Sequence, residues 1–409
     1  MPIVGKYSNR EKITYPALLF SFLVAFAEWL SSYRSIREGI SLADFLFVIL
    51  LVYFLIDSFH NQRKISVIYL LPLSFLLFIL LTSLINATLI NDFNYLAVFT
   101  RFAKFSFFWV IIVLLFPKYL SKDVFYKALK ITVWISCLGL LIQYVVYLSF
   151  GSYVDIKLPF LSYANDVIES IDFELIRARE FRPDSIFLES AHLAVFLSTY
   201  LAILLLDKKE SSKKILKAIA ISVFMLMTTS STALFLLFII WTFYYLQIFF
   251  QSKNKVKLIK NLFVGLIVLT IFIPVFINIP QLYQAFDRIR DLDGVAVTGR
   301  LNAGDVLVSN LSGIHKWIGV GFGNFNEYQY LNGINYLKYT TGYLGLLFYF
   351  IVVLIPFFKT DYLGKAMIIV FIVLSFSRPN VISINIIVTS AVVYLGYREK
   401  KKYRALKQH

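Results

Sequence analysis

The sequence predicts an all-α polytopic membrane protein with about 12 transmembrane helices and two long loops on one face. Hydrophobic residues make up 59% of the 409 residues, and they fall into about a dozen long runs. The mean hydropathy is +0.74. A helix that crosses a membrane needs roughly 17–25 mostly apolar residues. The net charge is nevertheless +16, which fits a membrane protein whose basic residues lie in loops on one side.

The apolar runs predict twelve spans within a single integral membrane domain, residues 1–409. The spans lie near residues 14–32, 42–59, 65–86, 95–116, 128–150, 186–206, 214–230, 232–250, 258–279, 339–358, 362–377 and 381–397. The seventh and eleventh spans are short. An even number of spans places both termini on the same side of the membrane.

The charge of the connecting segments alternates along the chain. One set of connections is basic throughout, whereas the short loops of the opposite set carry only Arg34, Arg37 and Arg378. The positive-inside rule therefore predicts that both termini are cytoplasmic. Part of this basic surface can contact anionic head groups of the lipid bilayer. Nothing in the sequence resembles a nucleic-acid-binding fold, so nucleic acid is not a predicted partner.

Several classes of chemistry lack a sequence signal. The single cysteine, Cys137, falls in the fifth span, so no disulfide within the chain and no cysteine metal cluster is expected. HExxH, Walker and GxGxxG motifs are absent from the sequence. We therefore predict no metal site and no cofactor.

Two connections are long, residues 151–185 and 280–338, and both are predicted to face outward. Loops longer than about 15 residues are usually functional or disordered. Both loops mix aromatic, aliphatic and charged residues, so we expect them to fold back over the membrane domain. Two such loops on one face predict a site at the outer membrane surface.

The densest polar cluster lies where the first long loop meets the sixth span. Glu189 is predicted within that span, where an ionisable group costs several kcal/mol unless it is paired or faces a polar cavity. His192 follows at a spacing that lets both line one helix face. A structural ion pair for Glu189 and a satisfied interior histidine are the alternatives. Asp184 and Ser185 are predicted to cap the helix.

Further cationic candidates lie in the fourth span and in the second loop. Arg101 and Lys104 are one helical turn apart and would repel unless an anion lay between them; snorkelling to the interface is the alternative. Glu28 is predicted to be structural, with Arg101 or Lys104 as its partner. In the second loop, Arg288 and Arg300 offer forked donors suited to phosphate or a sugar carboxylate.

In the order of its spans, long loops and motifs, the chain resembles the Wzy-type polymerases of O-antigen and capsular polysaccharide, within the O-antigen ligase and polymerase superfamily. The resemblance is carried by residues 182–194 (RPDSIFLESAHLA), 229–233 (TSSTA), 298–300 (TGR), 315–325 (HKWIGVGFGNF) and 342–347 (GYLGLL). Ser190 stands where the family has Pro, and Ser231 stands where many members have Arg. The His-Asn pair of the ligases is missing near residues 333–336, which favours a polymerase.

The resemblance implies a GT-C-like fold and an inverting, metal-independent glycosyltransferase in the bacterial cytoplasmic (inner) membrane. Its substrates would be undecaprenyl-diphosphate-linked glycans, joined at the outer face, and a chain-length regulator is a further partner that it leaves open. Glu189 would be the general base or orient the acceptor. Arg182 and Arg300 would hold the diphosphate with help from Arg101 or Lys104. His315 and Arg288 would contact sugars or support the loop, and the remaining candidates for contact with substrate are His192 and Arg378.

Three other functions remain open. A flippase for lipid-linked sugars would share the many spans and the intramembrane charges, although transporters usually show internal repeats and short loops. An O-antigen ligase would share the fold and use a different acceptor. A structural scaffold is disfavoured because buried charges are costly.

Overall fold

The computed structural model describes residues 14–35, 40–60, 70–158, 161–163, 181–207, 213–251, 283, 302, 304–325 and 331–407. Within these ranges the chain is helical and contains no named strand; two isolated bridges, Tyr33–Tyr163 and Arg34–Ser41, join short loop segments. The predicted all-α class is confirmed for the described chain.

The helices follow one another with few long interruptions. In chain order they are α1 (Tyr15–Leu30), α2 (Leu42–His60), α3 (Leu70–Leu89), α4 (Tyr95–Val110), α5 (Phe116–Tyr119), α6 (Lys122–Phe150), α7 (Ser190–Leu206), α8 (Lys214–Met227), α9 (Ser231–Gln251), α10 (Asp305–Ser309), α11 (His315–Ile318), α12 (Gly333–Lys359), α13 (Tyr362–Ser375) and α14 (Asn385–Lys407). A π-helical turn, Ile111–Leu115, joins α4 to α5.

Five helices of the described chain are long and apolar enough to cross a membrane: α3, α4 continued through α5, α6, α9 and α12. Helices α1, α7 and α13 are apolar and shorter. These helices indicate a membrane-embedded protein. They do not establish the predicted count of about twelve spans, and the ninth predicted span, 258–279, lies outside the described residues.

Helix α7 forms the centre of the bundle. Every residue from Ser190 to Leu206 is buried except His192, which is half-buried. Helices α6, α8, α9 and α13 pack around it. A helix that is apolar on all sides is stable only when other helices surround it, and this position explains why α7 shows no polar face.

Several predicted helix boundaries differ from the observed ones, and α14, for example, begins at Asn385 rather than near 381. Helix α6 begins at Lys122 rather than near 128, and α7 begins at Ser190 rather than near 186. Helix α12 begins at Gly333 rather than near 339 and is broken at Gly342, where φ is 68° and ψ is −173°. The apolar run located the span correctly, but it did not include the polar first turns of α6 and α12.

The two ends of the bundle differ in chemistry. One end, here named the loop face, carries residues 31–35, 151–158, 181–189, 310–325 and 376–384. The opposite end, the basic face, carries most of the described lysines. Ion pairs lie at the basic face between Lys118 and Asp57 and between Lys122 and Asp207, the latter at 2.9 Å between Nζ and Oδ2. The predicted functional residues that the structure describes lie on the loop-face half.

Candidate functional site

The chain enters α7 through a buried, non-helical segment, residues 181–189. Phe181 and Ser185 adopt positive φ angles of 37° and 57°, which side-chain-bearing residues rarely adopt. The Phe181 ring stacks on Tyr147 with centroids 3.8 Å apart. Thr229, also at positive φ, donates its hydroxyl to the Phe181 carbonyl at 3.2 Å. Such strained residues concentrate at functional sites.

Helix α6 fixes this segment from one side. The Ser185 backbone N–H donates to Gln143 Oε1 at 2.8 Å, and the Ser185 hydroxyl donates to the Ser136 carbonyl at 2.8 Å. Gly139 lies between these two contacts, and a Cβ there would come within 2.2 Å of Ser185 Oγ. The sequence therefore provides a glycine where the Ser185 side chain packs directly against α6.

Asp184 is fully buried and connects the segment to the first long loop. Its Oδ1 accepts from the Tyr153 hydroxyl at 2.6 Å and from Gln143 Nε2 at 3.2 Å. The prediction that Asp184 or Ser185 caps α7 is wrong. Glu189 occupies the N-cap position, and Asp184 and Ser185 bond to α6 and the loop instead, because the chain becomes helical only at Ser190.

Three predicted site residues meet at the first turn of α7. Arg378, which is 9% exposed, donates from its guanidinium to the Ala191 carbonyl at 3.3 Å. Its positive charge repels the protonated form of the His192 ring, whereas the Glu189 carboxylate attracts that form. The structure thus brings Glu189 and His192, from the entrance of α7, together with Arg378, from the link between α13 and α14.

A second carboxylate completes this group. Glu28 of α1 is 4% exposed and faces Arg378. With the Asn385 amide oriented so that its nitrogen faces the carboxylate, Asn385 donates to both Glu28 oxygens, at 2.6 and 3.0 Å. The expectation that Glu28 pairs with Arg101 or Lys104 is therefore wrong. We name Glu28, Glu189, His192, Arg378 and Asn385 the loop-face cluster.

The loop-face cluster combines the groups that acid–base and anion chemistry require. A carboxylate and an imidazole can accept a proton, and a guanidinium can stabilise a developing negative charge. Charged groups held inside an apolar bundle are costly unless they are paired or functional. Glu28 interacts electrostatically with Arg378, and the Asn385 amide holds the Glu28 carboxyl in place.

The second long loop docks on the break in α12. A positive φ at Gly342 interrupts the helix, and the carbonyls of Tyr339 and Thr340 accept from the N–H groups of Val320, at 3.0 Å, and Gly321, at 3.2 Å. A broken helix at membrane depth is tolerated where its backbone groups find other partners. A Cβ on Gly342 would lie 2.2 Å from the Trp317 backbone.

Two of the predicted site residues hold this loop, which for His315 is one of its two predicted roles. The Arg101 guanidinium donates to the carbonyls of Gly323 and Phe325, the latter at 3.1 Å, and lies 4.1 Å from the Phe325 ring centroid. His315 Nδ1 lies 3.0 Å from Asn86 Oδ1 on α3 and 3.2 Å from the Gly319 carbonyl. Both residues position the glycine run, which comprises Gly319, Gly321 and Gly323, against the helices.

The other predicted site residues lie apart from the loop-face cluster or outside the described chain. Lys104 Nζ is 3.3 Å from Asp44 Oδ2, and its side chain is 44% exposed. Arg101 and Lys104 thus each face a protein partner, and the anion predicted between them stays a prediction. Arg182 is half-buried at the start of the entrance segment. Arg288 and Arg300 lie outside the described residues.

The first long loop covers the end of α1. The Leu158 N–H donates to the Tyr33 hydroxyl at 3.1 Å, and the rings of Tyr33 and Tyr163 stack with centroids 5.9 Å apart. Burial raises the pKa of the Tyr33 hydroxyl. The Tyr163 hydroxyl donates to Asp155 Oδ1 at 2.6 Å. The described parts of both long loops therefore fold against the bundle, as the sequence predicts.

The roles of Glu28, Asn385 and Gln143 were not predicted from the sequence. The sequence did offer an indication of all three, because each is a polar residue inside an apolar run, where an unsatisfied polar group is costly. Their partners, however, come from distant helices. The chain matches no protein-family model, and no curated protein shows significant similarity to it. The functional argument therefore depends on the residues and their geometry.

Proposed function

We propose that this protein is a polysaccharide polymerase that joins lipid-diphosphate-linked oligosaccharide repeat units, as Wzy-type polymerases do. The observation that carries the proposal is the loop-face cluster, in which Glu189, His192 and Arg378 meet at the end of the central helix. The motif order of the sequence, from residue 182 to residue 347, supports the same reading.

In the proposed reaction an acceptor hydroxyl attacks the anomeric carbon of the donor sugar, and the bond from that carbon to the diphosphate oxygen breaks. Glu189 takes the proton from the hydroxyl as general base. Arg378 and Arg182 stabilise the negative charge that collects on the departing lipid diphosphate. Attack from the side opposite the leaving group gives inversion at the anomeric carbon.

The proposed orientation places the loop face outside the cytoplasmic membrane. The lysines of the basic face support it, because basic loops favour the cytoplasmic side. Both lipid-linked substrates would then reach the cluster from the outer leaflet, beneath the two docked loops. Partners in this proposal are the lipid-linked glycans and the bilayer itself.

A flippase for the same lipid-linked units is the second candidate. The observation that favours it is the break in α12, because transporters build substrate sites from discontinuous helices. Here, however, the carbonyls of Tyr339 and Thr340 at the break accept hydrogen bonds from the second long loop. They are therefore less available to coordinate a transported ion, which weakens this alternative.

Complementation in the source organism tests the proposal. Cells that lack the gene should make surface glycan of one repeat unit, and the wild-type gene should restore long chains. E189Q should be inactive although the protein is made in normal amounts, because the amide cannot take up a proton. The control E399Q, on the basic face, should restore long chains. Normal chains from E189Q would refute the assignment of Glu189.

A further inference from the structure

A pocket of about 130 Å³ lies between the helices and extends along α14 from Ile386 toward the basic face. Its walls come from α3, α4, α12, α13 and α14, and none of its lining residues belongs to the loop-face cluster. The lining is almost wholly apolar and includes Leu71, Trp109, Pro356, Phe371 and Val393. An apolar pocket between membrane helices accepts a hydrocarbon chain without desolvating polar groups.

The dimensions of the pocket match one leaflet. Along α14 its lining follows a single helical stripe from Ile386 through Ser390 and Val393 to Tyr397. At 1.5 Å of rise per residue this stripe is about 16 Å long. The hydrocarbon core of a bilayer is about 30 Å thick, so the stripe spans about half of it. The pocket therefore suits a chain that enters from the leaflet adjoining the basic face.

The same face of α14 becomes basic beyond the pocket. Lys400 and Arg404 continue the stripe one and two turns after Tyr397. The Lys400 ammonium donates to the Thr360 carbonyl at 2.8 Å. Burial and the positive charges of Lys365 and Arg404 lower the pKa of Lys400, and Asp361 partly opposes that shift. Cations crowded in this way favour a bound anion.

We propose that this pocket and these cations bind an anionic phospholipid of the leaflet that adjoins the basic face. One acyl chain lies along α14, and the phosphate lies against Lys365, Lys400 and Arg404. Basic residues beside a groove between transmembrane helices are the usual recognition element for anionic head groups. The site does not depend on the proposed polymerase activity, because it uses other residues at the other end of the bundle.

Native mass spectrometry of the full chain tests the site. The protein is released from nanodiscs that contain equal amounts of phosphatidylglycerol and phosphatidylcholine. Wild-type protein should retain one phosphatidylglycerol in preference to phosphatidylcholine. The K365Q/K400Q/R404Q variant should lose about tenfold or more of this preference, since each cation near an anionic surface contributes roughly a fivefold factor. The matched control K213Q/K214Q/K217Q removes three positive charges at the start of α8 and should keep the preference for phosphatidylglycerol.

A second measurement reports on the chain rather than on the head group. Phosphatidylglycerol with brominated acyl chains should quench tryptophan fluorescence, and the W109F variant should lose that part of the quenching, because Trp109 lines the pocket. Equal retention of both lipids by the wild type would overturn the proposal. So would equal loss in the two triple variants, or preferential retention of added undecaprenyl phosphate over phosphatidylglycerol.

Discussion

Replacing Gly342 by Ala should detach the second long loop from the break in α12. At φ 68° and ψ −173° this residue lies in a region that is essentially restricted to glycine, where another residue costs about 1–3 kcal/mol. The added Cβ would also lie 2.2 Å from both the carbonyl carbon and the carbonyl oxygen of Trp317. Overpacking of this kind typically costs about 1–3 kcal/mol more. We therefore expect G342A to lower the free energy of unfolding by about 3 kcal/mol or more.

Gly313 supplies the matched control. Its φ is also positive, 55°, but a Cβ there would meet no atom within 4 Å. G313A should therefore lower the free energy of unfolding only by the cost of the positive φ angle, about 1 kcal/mol. The two glycines belong to the same loop-and-break assembly, so the difference between the variants reports the contact with Trp317 together with the greater backbone strain at Gly342.

The single cysteine provides the assay. Cys137 is 1% exposed in the core, so a maleimide dye should react with it only when the bundle opens. Heating the detergent-solubilised protein with the dye gives an unfolding midpoint for each variant. The reasoning predicts a clearly larger drop for G342A than for G313A. Equal drops would mean that the loop does not dock on the break as described.

Three further predictions follow from the structure. R378Q should cost about 1–3 kcal/mol in the same dye assay, because it removes the hydrogen bond from the buried guanidinium to the Ala191 carbonyl. Asp361 accepts from the Gly364 N–H, and the asparagine of D361N keeps this cap. Because burial raises the pKa of Asp361, the wild type should lose stability relative to D361N as the pH rises above about 4. Unfolding midpoints of both proteins measured from pH 4 to 7 check this prediction. G139A should leave α6 helical but displace the entrance segment, and chain extension should fall by about tenfold or more, measured as product length on a gel.

Much of the helical architecture was predictable because apolar runs report burial in lipid or in a bundle directly. The fifth and eighth predicted spans, 128–150 and 232–250, fall within α6 and α9. The entrance to α7 was not predictable in this way. Residues 186–188 are apolar and extend the run, yet the hydrogen bonds that join Ser185 to α6 and Tyr153 to Asp184 hold the preceding chain out of a helix.

The candidate site was predictable in part. Glu189 was selected because an ionisable group within a predicted span is costly without a purpose, His192 for its spacing from Glu189, and Arg378 for its place at an outer helix end. Glu28 was assigned the wrong partner, because helices α1 and α14 meet only in the folded bundle. Arg101 was selected for its charge and His315 for its place in a motif of the resemblance, and the structure gives both of them contacts to the segment that holds Gly319 and Gly323. Side-chain partners of this kind depend on tertiary contacts that spacing along one chain does not encode.

The most direct test of the central claim is reconstitution with the purified protein. Protein in nanodiscs is given a single lipid-diphosphate-linked repeat unit from the source organism, and the product length is followed on a gel. The account predicts a ladder that lengthens with time and is absent with E189Q, while the E189Q unfolding midpoint remains close to that of wild type. A wild-type protein that makes no ladder but moves the lipid-linked unit across a vesicle bilayer would contradict it.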